Sequence, residues 1–440
     1  ITGQVSSELL GRDVFQEADI TGSCEPFVKH SYLVKNAADI PRIMKEAFHI
    51  AGTGRQGPVL IDVPTDIQME KIRFSYPETV DIRSYKPNFV GHPGQIKRVV
   101  TALANAKRPL ICAGGGVFSS DACDELLTFS QKANIPVVTT MMGLSCIPAD
   151  YSLNLGMIGM HGAPEANRAM NSADVLLLIG ARVGDRAIMS PMGLYRSAKI
   201  IHIDIDPAEI GKNIETDIPL VGSAKLILNE LCEKSDKLCA ENWSADLQGK
   251  RPFNGDSWNG VIRPKRVIQS LCQAADDDAV LVADVGQNQI WSARGFSIPH
   301  GRFLTSGGMG TMGYSIPAAV GAKLAAPNRQ VIAVCGDGSF QMQMMELATI
   351  RGNDIPVKIM VMNNGRLGMV RELQDKKYGG NKTAVFLDGN PDFVKLAESY
   401  AIRSRRITRD ENIDEAVREM LASPEPYLLE CAVSPEEATL

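Results

Sequence analysis

The chain has 440 residues, 44% of them hydrophobic, which is enough for two or three domains each with its own core. A formal net charge of -5 without a concentrated basic run argues against nucleic acid or a membrane surface as a main partner, and no apolar stretch reaches the length of a membrane span. There is no signal-peptide pattern, the nine cysteines form no Cys-x-x-Cys pair, and the six histidines are isolated, so the expectation is reduced thiols in the cytoplasm and no zinc site.

Residues 1–75 read as the last part of an α/β domain. Ile1-Thr2-Gly3-Gln4-Val5 resembles the end of a strand entering a loop, so the chain is expected to open inside that domain. Asp39 is placed to cap a helix with Pro41 in its first turn, and Ile40, Ile43, Met44, Ala47, Phe48 and Ala51 fall on one face. A buried strand is predicted over Pro58–Pro64, followed by a linker from Tyr76 to Gly94.

Helical and strand patterns alternate through residues 90–235, with strands at 109–116, 135–141, 174–180 and 199–204 and helices at 95–106, 120–133 and 163–171. That alternation predicts a doubly wound parallel sheet. Gly114-Gly115-Gly116, Thr140-Met141 and Gly180 to Arg186 end successive strands, where ligands of open α/β sheets bind. The polar stretch with Trp243, Gly249, Pro252, Gly255 and Trp258 reads as a second linker.

The third unit, 262–440, has predicted strands at 279–284, 302–305, 330–335, 357–362 and 427–433, with helices at 264–275, 312–324, 342–350, 392–400 and 411–422. The fold class is therefore α/β, with successive doubly wound parallel-sheet domains. Two of these strands carry the chemistry. Gly336-Asp337-Gly338-Ser339 follows one, and Asn363-Asn364 ends the next. Gly-Asp-Gly alone is an ordinary turn, but with two buried strands and a helix start it reads as a magnesium diphosphate clamp. Magnesium takes six hard oxygens, commonly one or two from protein and the rest from phosphate and water, and a neutral Asn beside one Asp suits a ligand already rich in negative charge. Gly286-Gln287-Asn288 also follows a strand and opens a helix, so it is either a diphosphate contact or a plain helix start. The glycine-dense Ser306–Tyr314 suits close approach to a flat ring, or equally a helix packed through small residues.

Gly336-Asp337-Gly338-Ser339 followed at this distance by Asn363-Asn364 resembles the motif of thiamine diphosphate enzymes. Asn363-Asn364-Gly365-Arg366-Leu367-Gly368-Met369-Val370 is similar to the catalytic subunit of acetohydroxyacid synthase, also called acetolactate synthase, and the similarity extends over nearly the whole chain. The resemblance implies a partial pyrimidine-binding domain, a central FAD-binding-like domain and a diphosphate domain.

It implies thiamine diphosphate on Gly286, Gln287, Asn288, Gly310, Met312, Gly336, Asp337, Gly338, Ser339, Asn364, Arg366 and Gly368. The Met312 side chain would wedge the coenzyme into a bent form, and Asp337, Asn364 and Arg366 would form the Mg2+ set. FAD, structural rather than redox-active, would lie on Arg55, Gly114, Gly115, Gly116, Thr140, Met141, Gly159, His161, Gly180, Arg182, Asp204, Ile205 and Gly222. Phe15, Gln16, Met160, Arg186, Met369 and Leu373, with Met312, match positions at the reacting centre, and Lys29-His30 lies close to it. Arg186 would grip the carboxylate of the second substrate.

Four departures stand out: Asn288 where the family commonly has His, Ser223 for Asp, Thr65 for Lys, and Leu373 for Trp. The last predicts a weaker preference for 2-oxobutanoate over pyruvate. The implied reaction decarboxylates pyruvate and ligates the hydroxyethyl unit to a second 2-oxo acid, the first common step toward branched-chain amino acids. The ylide-forming Glu is expected in an earlier part of the first domain, so the isolated chain is expected to turn over little. The active site is expected between subunits of a homodimer or tetramer, with a small regulatory subunit as a further partner. Another thiamine diphosphate decarboxylase or oxidase, or a truncated non-catalytic paralogue, are the alternatives.

Overall fold

A run such as Val331-Ile332-Ala333-Val334-Cys335 has no polar face, so as a strand it has to be covered on both sides by helices. A computed structural model of the chain describes residues 1–188, 193–194, 197–234, 243 and 260–439, and their strands form three parallel sheets.

The first sheet holds β1 (Thr2–Gln4), β2 (His30–Leu33) and β3 (Val59–Pro64) in the order β1-β3-β2. The helix Ile40–Gly52 covers it through Ile43, Ala47 and Ile50. Asp39 makes no capping bond and pairs with Arg42 at 3.2 Å instead, and Phe48 is exposed. Lys29 Nζ donates to the carbonyls of Ile50 and Thr53, closing the end of that helix.

The central sheet holds β4 (Pro109–Ala113), β5 (Val137–Thr139), β6 (Asn154–Met157), β7 (Val175–Ile179), β8 (Lys199–Asp204) and β9 (Ile218–Val221), in the order β6-β5-β4-β7-β8-β9. The direction of winding reverses between β4 and β7. Separate apolar layers cover the two faces, one built on Ile96, Leu126, Phe129 and Leu231, the other on Ala166, Met170 and Ile188. Trp243 joins the second layer rather than a linker, while Gly249, Pro252, Gly255 and Trp258 lie outside the described residues. The edge strands β6 and β9 are short, and the periodicity alone left them out.

The third sheet holds β10 (Val280–Ala283), β11 (Arg302–Thr305), β12 (Val331–Gly336), β13 (Lys358–Asn363), β14 (Arg403–Ile407) and β15 (Tyr427–Ala432), in the order β11-β10-β12-β13-β15-β14. Here the winding reverses between β10 and β12, so the segments after those two strands flank a crevice at the carboxyl edge. Pro264–Ala274, Gln287–Gly295 and Ile413–Ala422 cover one face, and Ser315–Ala325, Glu346–Gly352 and Phe393–Ser399 the other. Of the expected helix 342–350 only the part from Glu346 is formed, as Glu346–Gly352, because Met342, Met344 and Met345 stay exposed and form no continuous buried stripe, and a separate short helix, Asp337–Gln341, precedes it. The expected helix 312–324 begins at Ser315.

Candidate active site

Asp337 is the first residue of its short helix and is 1% exposed. Burial pushes its carboxyl pKa up, opposed by the Asn390 hydrogen bond and by the amides of Asp337, Gly338 and Gly365. Asn390 Nδ2 donates to Asp337 Oδ2 at 2.7 Å, and Gln341 Nε2 holds Asn390 Oδ1 at 2.8 Å. The carboxylate is thus oriented by neutral amides and, among the described residues, has no cation in hydrogen-bond reach, an environment that a divalent ion would relieve. Among the described residues no three His, Cys, Asp or Glu side chains converge on a metal position, so an ion at Asp337 needs phosphate oxygens and water to fill its shell. Ser339 Oγ accepts from Gly336 N at 3.0 Å and fixes the turn.

On the neighbouring strand Asn363 ends β13, and Asn364 follows it directly. Asn364 Oδ1 accepts from Arg366 N at 3.0 Å, and its Nδ2 donates to Gln287 Oε1 at 3.2 Å. Three expectations change here. Both amide hydrogens of Asn288 go to the carbonyls of Asp284 and Val334, tying β10 to β12, so this side chain has no donor left for a diphosphate. Gln287 Nε2 likewise goes to Glu372 and to the Glu437 carbonyl. Arg366 is a guanidinium paired with Glu436 at 2.9 Å, and a cation cannot ligate Mg2+, so only its carbonyl oxygen could belong to the metal set. Donors for a diphosphate are therefore left to backbone amides, as at Gly286, whose φ of +141° turns the chain into the helix Gln287–Gly295.

The glycine-dense segment is anchored from β10. Asp284, 1% exposed, accepts from Gly313 N at 3.0 Å and Ser315 N at 2.8 Å. Asp284, Asn390 and Glu372 were not singled out from the sequence as site residues. The signal for Asp284 was available, an acid closing an apolar strand, but neither Asn390 nor Glu372 ends an apolar strand run. Met312 arrives at the clamp, its Cε 3.6 Å from the position a Gly338 Cβ would take. Gly310 and Met309 are exposed beside it.

Met160 and Arg186 are brought together, Met160 N donating to the Arg186 carbonyl at 3.0 Å and Arg186 Nη1 lying 3.6 Å from Met160 Sδ. Gly159 permits this, since a Cβ there would stand 2.3 Å from the Arg186 oxygen. His161 has a buried Nδ1 that finds no hydrogen-bond partner among the described residues, and burial pushes its pKa down. It senses Glu372 and Lys376 of the helix Gly368–Lys377, so the Met157–Gly162 string and that helix face one region. Met369 is half-buried and Leu373 exposed on the same helix, while Phe15 and Gln16 lie exposed on the first unit.

At the switch point of the central sheet the glycines serve each other. A Cβ on Gly114 would stand 2.2 Å from the Gly180 oxygen, and one on Gly116 would stand 2.6 Å from Gly180 Cα. Gly115 packs on Met142, and Gly222 lies against the Phe89 carbonyl. Thr140 accepts from Gly143 N and caps the turn Met141–Gly143. Loop-on-loop packing therefore explains these glycines without a ligand. Arg55 Nη1 pairs with Asp206 at 3.2 Å and Glu209 at 2.7 Å, joining the first unit to the central sheet. Asp204 Oδ1 accepts from Asp206 N and shapes the turn through Ile205, and burial raises its pKa. Arg182 is exposed at this edge, and with the His161 Nδ1 it is what remains to meet an anionic cofactor. Two open depressions of about 530 and 590 Å³ lie along the helix Pro93–Ala104 and include none of the clamp residues.

Residues 284–431 match the family described as thiamine pyrophosphate enzyme, C-terminal TPP binding domain, and residues 96–231 match the thiamine pyrophosphate enzyme central domain. A probable acetolactate synthase large subunit of Methanocaldococcus jannaschii is 44% identical, over 100% of this chain and 77% of its own. One of Methanococcus aeolicus is 43% identical over the same shares. The chain belongs to the acetolactate synthase large-subunit family of thiamine pyrophosphate enzymes. The acetolactate synthase large subunit of Haemophilus influenzae, 42% identical over 95% of this chain and 75% of its own, extends that family relation to bacteria. Membership explains why a buried carboxylate and a carboxamide stand on adjacent strand ends. Among the described residues no helix is long and apolar enough to cross a membrane.

Proposed function

We propose that this chain, with thiamine diphosphate and Mg2+, decarboxylates pyruvate and ligates the two-carbon unit to a second pyruvate or to 2-oxobutanoate, giving the first common precursor of the branched-chain amino acids. The observation that carries the reading is Asp337, a buried carboxylate at the β10/β12 switch point, with Asn364 just past the end of the next strand. Thiamine diphosphate supplies the electron sink that decarboxylation needs. The protein supplies placement. Asp337 and the oxygen of Asn364 hold the ion, the amides around Gly286 and Gly338 meet the diphosphate, and Met312 backs the ring. Arg186, exposed and beside Met160, binds the carboxylate of the second substrate in the bidentate manner a guanidinium allows.

FAD on the central sheet is supported by Arg182 and His161 and not by the glycines, whose mutual packing is complete. The exposed Phe15, Met309 and Leu373 support a site closed by a second copy of the chain. The name "large subunit" borne by the relatives supports a smaller regulatory partner.

The test uses the product of the complete gene with pyruvate, thiamine diphosphate and Mg2+. Acetolactate is expected, and Asp337→Ala is expected to abolish both its formation and Mg2+-dependent coenzyme binding. Acetaldehyde or hydrogen peroxide in place of acetolactate would substitute a decarboxylase or oxidase for this reading.

A further inference from the structure

We infer that Glu372 is a positioning residue that sets which end of the Asn364 carboxamide faces the metal, acting through Gln287. The inference rests on the magnesium reading above. Glu372 is 6% exposed on the helix Gly368–Lys377. Its Oε1 accepts from Gln287 Nε2 and from Thr439 N, and its Oε2 accepts from Thr439 Oγ1 at 2.8 Å.

The chemistry of these groups propagates a direction. A carboxylate only accepts, so the nitrogen of Gln287 has to face Glu372. The oxygen of Gln287 then faces the other way, and because it too only accepts, it selects the Nδ2 of Asn364. Asn364 Oδ1 is thereby turned to the opposite side, where it accepts from Arg366 N and keeps a lone pair for a cation. An Asn turned over would present an NH2 group, which cannot coordinate Mg2+. The backbone amide of Thr439 completes the chain, since a donor there favours an acceptor at position 372.

Gly368 belongs to the same device. Its backbone is ordinary, but a Cβ would stand 1.8 Å from Gln287 Oε1 and 3.1 Å from Asn364 Nδ2. Any side chain at 368 would push the Gln287 amide out of the chain of hydrogen bonds.

The experiment titrates Mg2+ by calorimetry at saturating thiamine diphosphate on the product of the complete gene, comparing the wild type with Glu372→Leu, which removes the acceptor, and Gly368→Ala. Loss of a group that orients a metal ligand costs about 10–100-fold in metal affinity, and a shift of that size in half-saturation is expected in both variants. Raising Mg2+ is expected to restore coenzyme binding, which it would not do for a misfolded protein, and melting curves accompany each titration. A Glu372→Leu protein that melts as the wild type and half-saturates within twofold of it overturns the relay alone. If that variant fails to fold, Gly368→Ala carries the test from the other side, with the same outcomes. Absence of Mg2+ binding in the wild type overturns the relay together with the proposed function.

Discussion

At the residue scale, the side chains at the clamp divide by whether their donors and acceptors are already used. Asn288 and Gln287 lie where the resemblance put diphosphate contacts, yet their amide hydrogens are spent on carbonyls and on Glu372. That distinction is invisible in a string of letters, because it depends on which carbonyls arrive from other strands. Leu373 is different: it is 46% exposed and free to line a pocket. Replacing it with Trp is predicted to raise preference for 2-oxobutanoate over pyruvate, in the ratio of kcat/KM values, by ~1–3 kcal/mol, the worth of one methylene in an apolar pocket. A competition assay on the product of the complete gene measures this. An unchanged ratio would place the discriminating contact elsewhere.

At the scale of elements, the strand ends that make the site were readable because buried parallel strands are continuous apolar runs. The edge strand β14 was not, since Arg403-Ser404-Arg405-Arg406-Ile407 looks like a polar loop. Charge on an edge strand guards it against pairing with other chains, so the feature that hid it has a structural purpose. Arg406 also joins the sheet to its core: its Nε donates to Glu430 at 2.7 Å, and Glu430, 2% exposed on β15, accepts from Asn363 at 2.8 Å beside the clamp. Arg406→Ala leaves that buried carboxylate short of a donor. It is predicted to lower stability by ~1–3 kcal/mol, the cost of an unsatisfied buried group. Urea denaturation checks the value, and no change in midpoint would mean that solvent replaces the guanidinium.

For the whole molecule, both larger sheets reverse their winding at the strands whose loops carry candidate residues, so two crevices open at carboxyl edges. Apolar side chains stand uncovered around the diphosphate side, Met309 at 91%, with Phe15 at 88% on the first unit. We predict that the product of the complete gene sediments at twice its chain mass or more, and that Met309→Glu shifts it toward monomer with loss of coenzyme binding. A monomeric wild type would contradict a site shared between subunits.

The sequence by itself determined the strand-and-helix alternation, the parallel sheets and the placing of Asp337 and Asn364 just past the ends of two strands, because each is written in local apolar runs and in residues at their ends. Only the tertiary structure decided that β15 lies between β13 and β14, that Arg55 serves Asp206 and Glu209, and that the central glycines pack on one another. It also brought Asp284, Asn390 and Glu372 to the site from segments far apart in the chain. Hydrogen-bond partners across such separations leave no period in the sequence, since what selects them is the unmet donor or acceptor that folding places beside them.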